Sequence, residues 1–535
     1  MPNDCITFQN SGYFTPIMID YLNEKSTLKP FYNRLPKIEN FDPETSGQIK
    51  EKSANYNDAA YSKRTILVQT LEHQYQNIGA SDLTKQNITS LFNDTTFTIT
   101  TGHQLNLFTG PLYFLYKIIS TINLCTELKS KYPSQNFVPI YWMATEDHDF
   151  DEINYFNFKG RKFRWNKESF GPVGRLSTDG LTNVFEIFSK ELGSGTNANF
   201  IKNLFEESYL KHSNLADATR FLANELFGKY GLVILDSDNR NLKSIFSPYI
   251  KEELLYQKSF TKVNETISKL QNYAIQVNPR EINMFYILDN LRERIVLENG
   301  IYKINNTKFE FSETEILAEL ANFPERFSPN VILRPLYQEV VLPNLCYIGG
   351  GGEIAYWLEL KATFEHHKVT FPMLLLRNSA LIANEKQVQK TTKLDLSWQD
   401  LFQNQNQLLK SQTIKKSAFE IDFTTQKVHL QKQFSDLYAI ANQTDKSFLG
   451  AVKAQETKQI KGLENLEKRL LKAQKRVLAD DLERISNLQN ELFPNKSLQE
   501  RQANFAEFYL NNGNNLIEKL ILELKPLSNE FNIIL

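Results

Sequence analysis

TFTITTGHQLNLFTGPL, residues 96–112, decides the fold. It opens on a β-like run over 96–101, in which Phe97 and Ile99 alternate with threonines. It closes on Thr-Gly-Pro ahead of a long apolar segment. Pro111 suits a first helical turn, where its missing N–H costs no bond, and Thr109 suits the N-cap. A helix is therefore expected over 111–131, with Leu112, Leu115, Tyr116, Ile119, Ile122 and Leu124 as its apolar positions. The next run, FVPIYWMA at 137–144, is apolar almost throughout, as a strand covered on both faces of a parallel sheet is. Strand, helix and strand in that order make a βαβ unit. The expected class is α/β, with a Rossmann-like, doubly wound parallel-sheet core.

Outward from this unit, further strands are expected at 231–236, 331–336, 345–348 and 371–377, and a helix at 353–366. Two insertions, about 155–225 and 255–325, interrupt them. Ahead of the unit, residues 1–60 carry Pro16, Pro30, Pro36 and Pro43 and suit an extended arm, and helical spacing runs from Tyr61 to about Ile78. Past Leu381 glycine nearly vanishes. Leu463, Leu466, Leu470, Ala473 and Val477 then repeat at 3,4,3,4 spacing, the seam of a coiled coil. After a one-residue slip, Leu478, Leu482, Ile485, Leu488 and Leu492 continue it, so one helix is expected from about Lys446 to Leu492, with 425–443 antiparallel to it. The expected division is a core over 1–390 that includes the arm and both insertions, a helical coiled-coil domain over 391–500, and C-terminal helices over 501–535 that dock on the core. A protruding helical hairpin leaves an apolar stripe, and a homodimer would cover it.

Length and composition bound the function. The chain has 535 residues, 41% hydrophobic and 23% charged, with a net charge of −1. Such a balance supplies no global field for nucleic acid or an anionic membrane. No apolar run is long enough for a transmembrane helix, and the first residues lack a signal-peptide pattern. Cys5, Cys125 and Cys346 lie far apart and suit a reduced, cytoplasmic protein. No metal site is expected: H-E-x-x-H and C-x-x-C are absent, and His366-His367 suits a helix C-terminus better than ligation. The P-loop pattern G-x-x-x-x-G-K-[ST] is absent too.

Ligands of open α/β sheets bind at the carboxyl ends of the strands, and four polar clusters fall there. His103 and Gln104 follow the first strand, and the helix N-terminus after Thr109 and Gly110 attracts anions. The loop Glu146-Asp147-His148-Asp149-Phe150-Asp151-Glu152 groups five carboxylates around one histidine. It suits holding an amine or hydroxyl and moving a proton, with His148 or Asp149 as the acceptor. It is no EF-hand, since Glu152 stands where the loop needs glycine. Gly349, Gly350, Gly351 and Gly352 let a ligand approach the backbone, and Glu353, Tyr356 and Trp357 open the following helix. Gly350, Gly352 and Ala355 also match the dinucleotide pattern, which leaves a nicotinamide-dependent oxidoreductase as one alternative. Arg334 and Arg377 stand alone after apolar runs, each expected to meet a carboxylate or an anionic ligand. A non-catalytic coiled-coil scaffold is the other alternative.

Four stretches carry a family resemblance: TGHQLNLFTGPLYFLYK (101–117), PIYWMATEDHDFDEI (139–153), LRPLYQEVVLPNLCYIGGGGEIAYWLELK (333–361) and FPMLLLRNSALI (371–382). In order and spacing the chain resembles the cysteine-adding enzymes of bacillithiol biosynthesis, the BshC family. The resemblance implies a ligase that adds L-cysteine to the glucosamine amine of glucosaminyl-malate, with a Rossmann-like core and a dimerising coiled coil. Such a core is similar to that of class I aminoacyl-tRNA synthetases, whose His-containing turn binds ATP phosphates. The matching positions are Thr101, Gly102, His103 and Gln104. The turn reads TGHQ, with one histidine, and no lysine-rich loop follows the last strand at RNSALIANEK (377–386). ATP or ADP is the nucleotide the resemblance implies, and its role as substrate or regulator is left open.

Overall fold

The computed structural model describes residues 5–42, 48–57 and 63–535, so Pro43 and Tyr61 lie outside the described residues. Five strands form the central sheet: β1 (Thr96–His103), β2 (Asn136–Met143), β3 (Val233–Asp236), β4 (Asn344–Gly349) and β5 (Met373–Leu376). Every neighbouring pair is parallel, and the order is β3-β2-β1-β4-β5. That is a doubly wound order, in which the chain leaves β1 first toward one edge and then toward the other. The crevice beyond the carboxyl ends of β1 and β4 is its switch point, where ligands bind. The strands are apolar because both faces are covered. On one face Phe97, Ile99, Phe137, Cys346, Ile348, Met373 and Leu375 pack with Leu124, Cys125 and Leu128 of α1 (Tyr113–Lys131).

β1 runs past the expected end at 101, because it stays in register with β2 to the pair His103–Met143. His103 therefore ends a strand. The start of α1 also differs from expectation. Leu112, not Thr109, is its N-cap, and Phe108, Thr109 and Gly110 all take positive φ, at 47°, 66° and 62°. The cause is Phe108, whose ring sits 5.2–5.6 Å from those of Phe156, Phe188, Phe205 and Phe505. Asn504 Nδ2 donates to the carbonyls of Phe108 and Gly110 at 2.7 Å each, and the Phe108 N–H donates to the Tyr209 hydroxyl at 2.8 Å. Those bonds offset the cost of left-handed backbone at two residues that have a Cβ. At Gly110 a Cβ would lie 2.7 Å from that of Asn106, so glycine is required there.

The stretch between β2 and β3 holds a hairpin, Tyr155–Phe158 with Arg161–Arg164, and then helices that include Leu181–Leu192, Thr196–Phe205 and Leu215–Phe227. The stretch between β3 and β4 holds α2 (Arg240–Tyr256), the helix Lys258–Ile267 and a five-stranded antiparallel sheet. The strand expected at 331–336 is absent. Residues 331–333 form a turn, and α3 (Arg334–Val341) starts at Arg334 with Pro335 in its first turn. Arg334 thus opens a helix rather than closing a strand. The helix expected at 353–366 is two, α4 (Gly351–Leu358) and Lys361–His366. The N-terminal arm is less extended than expected: its described residues hold the helices Pro16–Leu22 and Gln48–Asn57 and three short 3-10 turns, and the Tyr21 hydroxyl donates to the Leu374 carbonyl.

The chain divides into two units, one mainly of Tyr13–Leu381 with Gln499–Ile534 and the other mainly of Ile382–Leu498. In the first, Glu530–Ile534 pairs antiparallel with Cys5–Thr7. In the second, α5 (Thr424–Ala441) and α6 (Lys446–Val477) form an antiparallel hairpin. Lys427 meets Glu467, Tyr438 meets Glu456, and Phe434, Ala441 and Val452 fill the space between the helices. The single helix expected over 446–492 breaks at Leu478, and α7 (Ala479–Leu492) follows. The break falls at the one-residue slip of the repeat.

Candidate functional site

A cavity of about 830 Å³ opens at the carboxyl edge of the central sheet. β1 supplies Gly102, His103 and Gln104, and the segment after β2 supplies Glu146 and Asp147. Gly350, Gly351, Gly352, Glu353, Tyr356 and Trp357 follow β4, and Arg377 follows β5. Arg334 opens α3, and the antiparallel sheet adds Phe285, Arg292 and Arg294. Thr101, Thr109, Gly110, His148, Asp149 and Gly349 do not line it. The Thr101 hydroxyl instead donates to the Ile348 carbonyl at 2.8 Å and ties β1 to β4.

The floor centres on Lys117, a residue that sequence reading missed. It projects from α1, donates to the Gly102 carbonyl at 2.7 Å and pairs with Glu353 at 2.6 Å. Its signal was available: a lysine inside the apolar run YFLYKII (113–119) must find a partner. Burial lowers the Lys117 pKa, and Glu353 opposes that. Burial alone would raise the Glu353 carboxyl, but Lys117, the Gly350 N–H at 2.7 Å and the Tyr347 hydroxyl at 2.8 Å outweigh it and hold it low. None of the four glycines of 349–352 has positive φ. At Gly349 the lack of a side chain serves close packing instead: a Cβ there would sit 2.9 Å from the Tyr347 ring.

His103 lies in this floor. Its Nδ1 is 2.7 Å from the Gln104 carbonyl. A carbonyl only accepts, so Nδ1 carries the hydrogen and Nε2 is left with a lone pair. Nε2 is buried without a hydrogen-bond partner among the described residues. Burial, and then Lys117, lower the His103 pKa to about 3. The ring is therefore neutral and presents an acceptor, not a cation. Packing holds it in place, edge-on to Phe114 at 5.0 Å and tilted against Tyr113 at 5.4 Å.

The acidic loop divides in two. Glu146 turns inward, with Lys243 at 2.6 Å and the Ser328 hydroxyl at 2.6 Å, and burial raises its pKa. Lys243 also donates to the Phe327 carbonyl, so the pair fastens α2 to the strand Phe327–Pro329. Asp147 accepts from the His148 N–H at 2.8 Å and from Gln104 Nε2 at 3.1 Å, with Arg292 at 3.9 Å. Burial alone would raise its carboxyl, but those partners hold it well below the usual carboxylate range. Asp147 thus stays ionised and attracts a cation. His148 and Asp149 are exposed, and Arg292 donates to His148 Nδ1 at 2.7 Å, which occupies the lone pair a base would need.

Arg377 meets a carboxylate, Glu500, at 2.7 Å. It also donates to the Asn378 carbonyl, and its buried Nε has no hydrogen-bond partner among the described residues. Arg334 stays cationic: burial opposes its charge, and Tyr356 and Asp147 outweigh burial. Arg280, Arg294 and Arg501 line the exposed rim and make no ion pair among the described residues. Seven cationic side chains, Lys117, Arg280, Arg292, Arg294, Arg334, Arg377 and Arg501, thus face three carboxylates, Glu146, Asp147 and Glu353. A chain of net charge −1 has concentrated positive charge in one cavity.

Two family models cover the chain: "Bacillithiol biosynthesis BshC, N-terminal Rossmann-like domain" over residues 1–378, and "Bacillithiol biosynthesis BshC, C-terminal coiled-coil domain" over residues 380–535. The chain belongs to the BshC family. A curated BshC relative from Flavobacterium johnsoniae is 65% identical over all of both chains. One from Flavobacterium psychrophilum is 63% identical over 100% of this chain and 99% of its own, and one from Christiangramia forsetii is 56% identical over the same shares. All three carry the name "Putative cysteine ligase BshC". Among solved structures, an arginyl-tRNA synthetase-titled chain from Campylobacter jejuni matches 82% of this chain and 94% of its own at 11% identity. Its TM-score of 0.21 is too low to argue from. Among the described residues, no helix of this BshC-family chain is long and apolar enough to cross a membrane.

Proposed function

We propose that this chain joins the carboxyl of L-cysteine to the glucosamine amine of glucosaminyl-malate, forming an amide in the last step of bacillithiol biosynthesis in the cytoplasm. The observation that carries the proposal is the unpartnered Nε2 of neutral His103 inside an arginine-lined cavity. Malate brings two carboxylates, and Arg334 with the rim arginines suits them, since a guanidinium binds a carboxylate through two parallel bonds. The substrate amine, having lost its ammonium proton to solvent, donates an N–H hydrogen bond to ionised Asp147. An amine attacks only as the free base, and Nε2 accepts the N–H hydrogen as the new C–N bond forms. The acceptor role expected of His148 or Asp149 therefore passes to His103. Arg377 Nε is positioned to receive oxygen that gains charge at the reacting carboxyl.

The carboxyl needs a leaving group, which ATP supplies when a phosphoryl or adenylyl group is transferred to it. The start of α4 does not suit nucleotide phosphates, because Glu353 already takes the Gly350 N–H. That same carboxylate disfavours a dinucleotide pyrophosphate on the glycine loop and with it the oxidoreductase reading. Thiol profiling of a strain lacking the protein tests the proposal. Glucosaminyl-malate should accumulate and bacillithiol disappear, with restoration by the native chain but not by His103→Ala. Unchanged bacillithiol, or full restoration by His103→Ala, ends it.

We further propose that two copies pair through the helical unit. On its predicted seam Leu466 is 53% exposed and Val477 75% exposed. Sedimentation should show a dimer for the native chain and a monomer for Leu466→Glu/Val477→Glu. A native monomer ends the idea.

A further inference from the structure

Outside the cavity, three metal-ligating side chains converge from two helices. Glu252 stands near the end of α2, and His366 and His367 close the helix Lys361–His366. His366 Nε2 is 2.7 Å from Glu252 Oε1, and His367 Nδ1 is 3.2 Å from Glu252 Oε2. One donor atom from each of the three lies within 4.8 Å of the others. None of the three lines the cavity. We propose that Glu252, His366 and His367 hold a divalent transition-metal cation of the zinc class.

The chemistry of the donors favours this ion. Two imidazoles and a carboxylate suit Zn²⁺ or Co²⁺, whereas Mg²⁺ and Ca²⁺ prefer oxygen alone. Ligand bonds of about 2.0–2.2 Å put neighbouring donor atoms of a tetrahedral ion roughly 3.3 Å apart. The two carboxylate–imidazole separations already approach that value, so small side-chain rotations complete the site. The His367 side chain is 2% exposed and its ring packs against Tyr249 at 5.4 Å, which fixes one ligand. Glu252 and His366 are partly exposed, which leaves a route for the ion and a fourth position for water. The ligands are 114 residues apart in sequence, so no spacing motif shows them. The ion would fasten α2, which holds Glu146 through Lys243, to the segment that follows α4.

The test uses the full chain after dialysis against chelator. Titration with Zn²⁺ by calorimetry should show one equivalent bound per chain and a raised melting temperature. Co²⁺ should give the strong visible absorption of a tetrahedral site. His366→Ala/His367→Ala should lose that equivalent and the Co²⁺ band. Glu252→Gln, which keeps the shape and removes the charge, should bind Zn²⁺ more weakly while melting normally without metal, so the test survives if the double variant fails to fold. No Zn²⁺ uptake by the native chain overturns the proposal, as does an unchanged equivalent in Glu252→Gln and the double variant.

Discussion

Lys117 and Glu353 on the cavity floor, and Arg280, Arg294 and Arg501 on its rim, place charge in one cavity under opposite conditions. Lys117 is enclosed and Glu353 is partly buried, and each has hydrogen bonds besides the ion pair. The rim arginines are solvated and lack carboxylate partners among the described residues. Such a pair holds neighbouring groups in place, because removing one member strands the other. A solvated cation costs the fold little and is free to meet an anionic substrate. Floor and rim therefore answer to different measurements.

The largest expected effect is on His103, the neutral acceptor of the floor. His103→Ala should lower the rate of amide formation about 10²–10⁴-fold in single-turnover assays. Retention of the rate would remove His103 from the chemistry. Next comes Lys117→Met, which leaves Glu353 without its cation and should lower the unfolding free energy by about 3 kcal/mol in urea. Lys117→Met/Glu353→Gln should recover most of that loss. If the single variant is as stable as the native chain, the floor is not held by this pair.

A smaller effect is the pH dependence of stability. The folded-state pKa of His103 lies at about 3, below the unfolded value of 6.5. As pH falls through that window the unfolded chain takes up a proton that the folded chain refuses, so stability falls. The contribution to the slope is at most about 1.4 kcal/mol per pH unit. Urea titrations at pH 6 and pH 4 should show a flatter dependence for His103→Gln than for the native chain. Catalysis should show no His103 titration between pH 6 and pH 8. The smallest effect is at the rim. Arg294→Gln and Arg501→Gln should each weaken substrate binding by about 1 kcal/mol, seen as a raised KM with less salt dependence and an unchanged melting temperature. A loss of stability there would dissolve the distinction between floor and rim.

The parallel sheet was legible because period and composition agree: β2, β4 and β5 are apolar runs and β1 alternates apolar residues with threonines, each is followed by a turn, and the end of β1 was placed short. The helical unit was legible for the same reason, although the slip at Leu478 was read as a continuation of one helix and proves to be a break. What escaped depended on partners distant in the chain. Thr109 has the composition of a cap, but Phe108 is drawn into a cluster with Phe505, and that contact turns the backbone left-handed. Arg334 follows an apolar run that suits a strand, yet Pro335 suits a first helical turn equally well, and the helix forms. Of the cavity lining, His103, Gln104, Glu146, Asp147 and Gly350 to Gly352 were legible by their position after strands. Lys117 was missed because it sits on a helix face, and the rim arginines because they come from the antiparallel sheet, the loop ahead of it and the C-terminal segment. The inward turn of Glu146 also follows from Lys243, almost a hundred residues later in the sequence.

The bonds from Asn504 to the carbonyls of Phe108 and Gly110 bear on how the chain is made. A chain leaving the ribosome has all five strands of the sheet by Leu376, well before Asn504 and Glu500 appear. The turn after β1 and the placement of Arg377 therefore await the last few dozen residues. The strands of the sheet are thus synthesised before the residues that fix the turn after β1 and Arg377 beside the cavity.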